Sequence, residues 1–183
     1  KGIEVGLTRI NEGQQGAEAD LTGIDLRWQA NDATLLRAEI AQSNNETVGT
    51  NNNGRAQMFS IEHRSDKLDL RAHYQQVDQL FGLNQQSAAA RGIRKFGIDG
   101  RYEYSREVFL NLRAVQQENL ETGAERLAAE AQIQYQGDRS TASLGLVHAL
   151  DDFVDGNSRS SDVVRAGASR RLFGSSLKIR ANG

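Results

Sequence analysis

The chain has 183 residues with 22 basic and 24 acidic side chains, a formal net charge of −2, and neither proline nor cysteine. Such a balance argues against a nucleic-acid partner, and the lack of cysteine excludes disulfides, thiol nucleophiles and thiolate metal sites. No apolar run approaches the roughly 20 residues that a membrane-crossing helix needs, which leaves open a β-barrel, whose strands are only half apolar.

Strict alternation of apolar and polar residues marks strands. In chain order it predicts eleven: 3–10, 21–31, 34–42, 56–64, 68–77, 94–104, 108–117, 127–136, 141–150, 163–171 and 177–181. The second reads Ile24-Asp25-Leu26-Arg27-Trp28-Gln29-Ala30 and the eighth contains Ala129-Glu130-Ala131-Gln132-Ile133-Gln134-Tyr135-Gln136. Each lies near the 9–11 residues with which a tilted strand crosses a bilayer. Two stretches contain helix formers. Residues 119–130 run straight into a period-two pattern and read as loop plus strand. Ser87-Ala88-Ala89-Ala90-Arg91 reads as one helical turn in a long loop.

The connections alternate in length. Short ones fall at 31–33, 65–67, 105–107, 137–139 and 174–176, built of turn residues. Long polar ones fall at 11–20, 43–55, 78–92, 118–125 and 151–162. Short turns at one end and long loops at the other are the rhythm of an up-and-down outer-membrane barrel. The expected fold is therefore all-β, an antiparallel up-and-down transmembrane barrel or a large segment of one. It forms a single domain over residues 1–183, with about 10–12 strands visible. Eleven is odd where bacterial barrels close with even numbers, and the last residues lack an aromatic. Further strands or domains of a longer chain are accordingly expected beside outer-membrane lipid as partners.

The alternation separates a charged set of residues from an uncharged one on the opposite face. The charged set, expected to line the lumen, includes Asp25, Arg27, Arg37, Glu39, Asp69, Arg71, Asp99, Arg101, Glu103, Arg113, Glu130, Arg165 and Arg180. Because the signs are interleaved, these charges are expected to neutralise one another and give a weakly selective polar passage. The opposite set is apolar, as the roughly 2–4 kcal/mol cost of a cation at the bilayer midplane demands. Trp28, Tyr74, Tyr104 and Tyr135 fall towards strand ends, where a lipid-facing aromatic belt sits. A soluble sandwich also alternates, but a core rich in alanine and poor in bulky residues would be thin.

The phrases Ile61-Glu62-His63-Arg64-Ser65-Asp66-Lys67-Leu68-Asp69-Leu70-Arg71-Ala72 and Gly92-Ile93-Arg94-Lys95-Phe96-Gly97-Ile98-Asp99-Gly100-Arg101-Tyr102 carry a resemblance, as do the stretches Gln117–Arg126 and Ser169–Gly174. From about Gly23 to Ala181 the chain resembles the C-terminal barrel region of very large multidomain proteobacterial surface proteins. The resemblance implies location in a Gram-negative outer membrane and the anchoring or passage of a larger polypeptide. It implies no catalytic residues.

Other chemistry is thinly represented. His63, His73 and His148 show no ligand spacing for zinc, so no metal and no cofactor is expected. His73 is expected to be a hydrogen-bonded lumen histidine near Asp69 and Arg71. The stretch Asp151–Asn157, with Asp162, echoes a calcium loop but has Phe153 where an oxygen ligand belongs. No Gly-x-Ser-x-Gly elbow is present, and an enzyme is not expected. The competing readings are a soluble all-β binding or adhesion module and an outer-membrane enzyme with a rim active site.

Overall fold

A computed structural model describes residues 2–14, 17–47, 50–82, 91–172 and 175–182. The strands are β1 (Gly2–Gln14), β2 (Ala17–Asn31), β3 (Thr34–Thr47), β4 (Thr50–Arg64), β5 (Leu68–Val77), β6 (Ile93–Glu103), β7 (Val108–Asn119), β8 (Glu125–Gln136), β9 (Ser140–Asp152), β10 (Ser158–Leu172) and β11 (Ser175–Asn182). They form one sheet in sequence order, every neighbouring pair antiparallel. All eleven strands read from the alternation are present. The sheet is open, with β1 and β11 at its edges.

Two expected long loops are strand instead. The β1–β2 ladder continues to Gln14↔Ala17 and the β3–β4 ladder to Thr47↔Thr50. Backbone pairing does not depend on side-chain polarity, so strands made of Asn, Gln, Thr and Glu carry no apolar period to announce them. Side chains reinforce these tips: Asn11 Nδ2 donates to Asp20 Oδ1 at 2.7 Å. The connections at 120–124 and 153–157 are likewise short. Only the β5–β6 connection stays long, and the helical turn expected at Ser87–Ala90 lies outside the described residues.

The turns follow local chemistry. Asn31 Oδ1 accepts the Ala33 N–H at 2.9 Å, and Asn119 Oδ1 accepts those of Glu121 and Thr122, both at 3.0 Å. In the β9–β10 turn, Asp155 accepts from the Asn157 backbone N–H and side-chain amide. The backbone bond above all, then the amide, holds the Asp155 carboxyl below its ordinary value. A depressed value means that this turn's order is fully present above the unfolded-state value and lost as pH falls through the folded one. An NMR titration should place the Asp155 midpoint below that of a free aspartate, and Asn157→Ala, which removes the amide but keeps the backbone N–H, should raise it only part of the way.

The sheet has almost no interior. Among the described residues only Ala19, Ala41, Val77 and Phe81 are buried hydrophobics. On β9 and β10, Leu144, Leu146 and Val164 are 50%, 57% and 49% exposed. Between them, Ser143, Val147, Val163 and Gly167 are half-buried and Gly145 is buried, on the opposite face. Side chains there shelter one another while the apolar ones splay, so this part of the sheet curls towards its polar side.

Candidate functional site

Register places the charged residues expected to line the lumen on one face. Glu62, Arg71, Asp99, Arg113 and Glu130 stand directly opposite one another across five consecutive strands, alternating in sign. The row is extended diagonally at both ends. Arg37 bonds Glu62, and Arg165 reaches Glu130 at 3.5 Å. The latter contact spans two strands and passes over Gly145, the direct partner of both Arg165 and Gln132. Arg71 also approaches Glu62 at 4.0 Å. The result is a ladder Arg37–Glu62–Arg71–Asp99–Arg113–Glu130–Arg165. The five central members, Glu62 to Glu130, line a cleft of about 540 Å³ with Asp69 and Arg101.

Further polar-face residues flank the ladder. Arg101 lies 4.2 Å from the centroid of the Phe109 ring, with Glu103 opposite Phe109. Asp25 faces Glu39, and Arg27 faces Arg37 while pairing with Glu4 at 3.2 Å. Arg180 falls opposite Gly167, but its side chain lies outside those described. Alternation alone does not single out Glu4, Arg64 (3.1 Å from Asp69) or the Arg126–Asp151 pair (3.4 Å). Their roles depend on which strand neighbours which.

His73 corrects an expectation. It sits between Ser60 and Gly97, and its buried Nδ1 makes no hydrogen bond; Asp69 bonds Arg64 instead. Its ring occupies the space that a Gly97 Cβ would fill, 2.2 Å from Cε1. Gly97→Ala should therefore swing the imidazole into the cleft. His73 should then react with diethyl pyrocarbonate at a rate at least ~3-fold faster, at a stability cost of about 1 kcal/mol or less, because a side-chain end can yield. The calcium-like stretch is dispersed: Asp151 pairs with Arg126, Asp155 with Asn157, and Asp162 with His148 at 2.7 Å.

The other face is apolar and bare. Its field covers about 50 Å across the strands and about 20 Å along them, well beyond the ~300–600 Å² patches of ordinary soluble monomers. The field is also slanted. The row through Leu26 runs via Ala38, Phe59, Tyr74, Phe96, Gln116, Leu127 and Leu150 to Ser160. The apolar residues are Ile24, Leu26 and Trp28 on β2 but Val164, Ala166 and Ala168 on β10. The centre thus moves about six residues, roughly 20 Å, over eight strand spacings of about 4.8 Å, a slope of about 30°. Polar pairs mark both borders. Thr34 and His63 (3.0 Å) lie on the short-turn side, His148 and Asp162 on the other.

Aromatic residues follow the same borders. Phe59, Tyr74 and Phe96 share one row at the long-hairpin edge, with the Phe59 and Tyr74 rings 6.2 Å apart. Trp28, Tyr104 and Tyr135 stand at the short-turn edge. The four residues read as one belt therefore divide between two edges. No family model, curated protein or solved structure matches the chain.

Proposed function

We propose that the chain forms the wall of a transmembrane β-barrel in a Gram-negative outer membrane. Its apolar face meets lipid and its charge-balanced face meets a watery lumen. The lumen serves as a polar passage, or anchors and passes a larger surface-exposed polypeptide. The slanted apolar band carries this reading. A flat slab of hydrocarbon cutting across tilted strands requires an oblique band, and strands of outer-membrane barrels tilt by about 35–45°. The slope of about 30° stands just below that range. Aromatic rows at both edges and the half-exposed ion pairs of the other face support the same division between lipid and water.

A covering layer of protein, as in a soluble adhesion module, is the competing reading, and it has no need of an oblique band. The test is reconstitution into phospholipid vesicles. The expected result is co-flotation with lipid, protection of β5–β9 from protease, and conductance steps in planar bilayers. A monodisperse chain that stays in buffer without detergent would overturn the proposal.

A further inference from the structure

The only well-packed cluster among the described residues lies in an unexpected place: on the charged face, at the long-hairpin end of β2–β5. Ala41, Val77 and Phe81 form it, with Leu21 and Ala56 against them. Phe81 belongs to no strand. It stands four residues beyond the end of β5, in the one long connection, whose first residues, 78–82, fold back over the polar side of the sheet.

Several contacts hold this fold-back. The Asp78 N–H donates to the Arg55 carbonyl at 2.8 Å, and Asp78 Oδ2 accepts the Arg55 N–H at 3.0 Å. The Phe81 N–H turns back to the Asp78 carbonyl at 3.1 Å. Gly82 N–H donates to Oγ of Ser43, which is wholly buried, at 2.9 Å, and Asn45 Nδ2 donates to the Gly82 carbonyl at 3.0 Å. Gly82 has φ 104°, a conformation that glycine adopts without strain. Beneath it, Gly54 is needed for room: a Cβ there would stand 2.3 Å from the Phe81 nitrogen and 2.4 Å from its Cα. Those are backbone atoms of the connection, so they cannot rotate aside. Arg91, at the far end of the connection, lines a cavity of about 220 Å³ together with Phe81.

From this we infer that the segment 78–82 is a fixed constriction of the passage, seated on Gly54 and Ser43. It sets the size of solute that the lumen admits. The inference rests on the pore reading, because only a hollow lumen gives an inward-folded segment something to narrow. A surface loop with no such role would have no reason to bury its sole aromatic on the hydrophilic side of the sheet, in a segment held by three side-chain-to-backbone hydrogen bonds.

The test has two arms. In the cysteine-free chain, the pair Ala41→Cys and Phe81→Cys should become disulfide-linked in membrane-inserted protein, either directly on oxidation or through a short bis-thiosulfonate reagent that makes up the length of the lost phenyl ring. Gly54→Val, and independently Phe81→Ala, should release the segment and raise single-channel conductance by ~2-fold. A disulfide with raised conductance in both variants supports the constriction. Failure of the disulfide link to form by either route overturns the seat itself. A disulfide with conductance identical in the parent and both variants overturns the constriction while leaving the pore. A disulfide with no conductance in any of them overturns the pore reading, and the constriction with it, but leaves the seat.

Discussion

Leu112→Arg is expected to destabilise the protein in phospholipid vesicles by about 2–4 kcal/mol, whereas Thr34→Arg should cost about 0–1 kcal/mol. The comparison is informative because the two residues occupy the same face and the same register row. That row runs from Thr34 through His63, Leu70 and Gly100 to Leu112. On a band perpendicular to the strands they would sit at equal depth. On the oblique band, Leu112 is close to the centre while Thr34 lies past the border, beside His63. If the band meets lipid as proposed, a cation at Leu112 must be drawn from water into hydrocarbon, whereas one at Thr34 stays at the interface and gives up one hydrogen bond. Urea titrations of folded, lipid-inserted protein read the difference directly. Equal costs at the two positions would remove the slant, and with it the main support for a lipid slab.

The second large effect concerns the ladder. Replacing Glu62, Asp99 and Glu130 by their amides leaves Arg37, Arg71, Arg113 and Arg165 without their intervening carboxylates. On the proposed pore reading, the passage should then favour anions over cations by on the order of tenfold relative to the parent, read as a shift in reversal potential across a salt gradient. Stability should change little, by less than about 1 kcal/mol per pair, because Glu62 and Glu130 retain 32% and 38% side-chain exposure and their ion pairs are hydrated. If the ladder were instead a dry interior, removing one partner would cost about 3–5 kcal/mol and the protein would fail to insert. Selectivity that shifts without loss of folding therefore identifies a wet face. An unchanged reversal potential in a folded, conducting variant would place the ladder away from the ion path.

Much of this architecture is visible in the residues themselves because a strand has a period of two. The alternation Ile24-Asp25-Leu26-Arg27 fixes both the element and the identity of its two faces. The polar hairpin tips were not visible, since Asn44-Asn45-Glu46 paired with Asn51-Asn52-Asn53 looks like a loop to any hydrophobic pattern. The slant was hidden for a different reason. It exists only once strands are set side by side in register, and a single strand says nothing of its offset from the next. The same holds for the division of the aromatics, in which Tyr74 joins Phe59 and Phe96 while Trp28 stands at the other border. The seat of Phe81 depends on a contact with Gly54, far away in sequence. A lone glycine in a polar stretch reads as a turn until something is found pressed against it.

The ladder has a consequence for assembly. Alternation of apolar and polar residues forbids a slip of one residue between neighbouring strands, since every side chain would change face, but it is blind to a slip of two. The charges are not. Sliding β6 by two in one direction would put Arg71 against Arg101 and Asp69 against Glu103; in the other, Asp69 would meet Asp99. Sliding β4 on β5 would set Arg64 against Arg71, or Glu62 against Asp69. Each like-charged pair directly opposite is unfavourable by roughly 0.2–1 kcal/mol, and each replaces an attractive pair. The interleaved signs thus act as a code that checks strand alignment while the chain is still assembling.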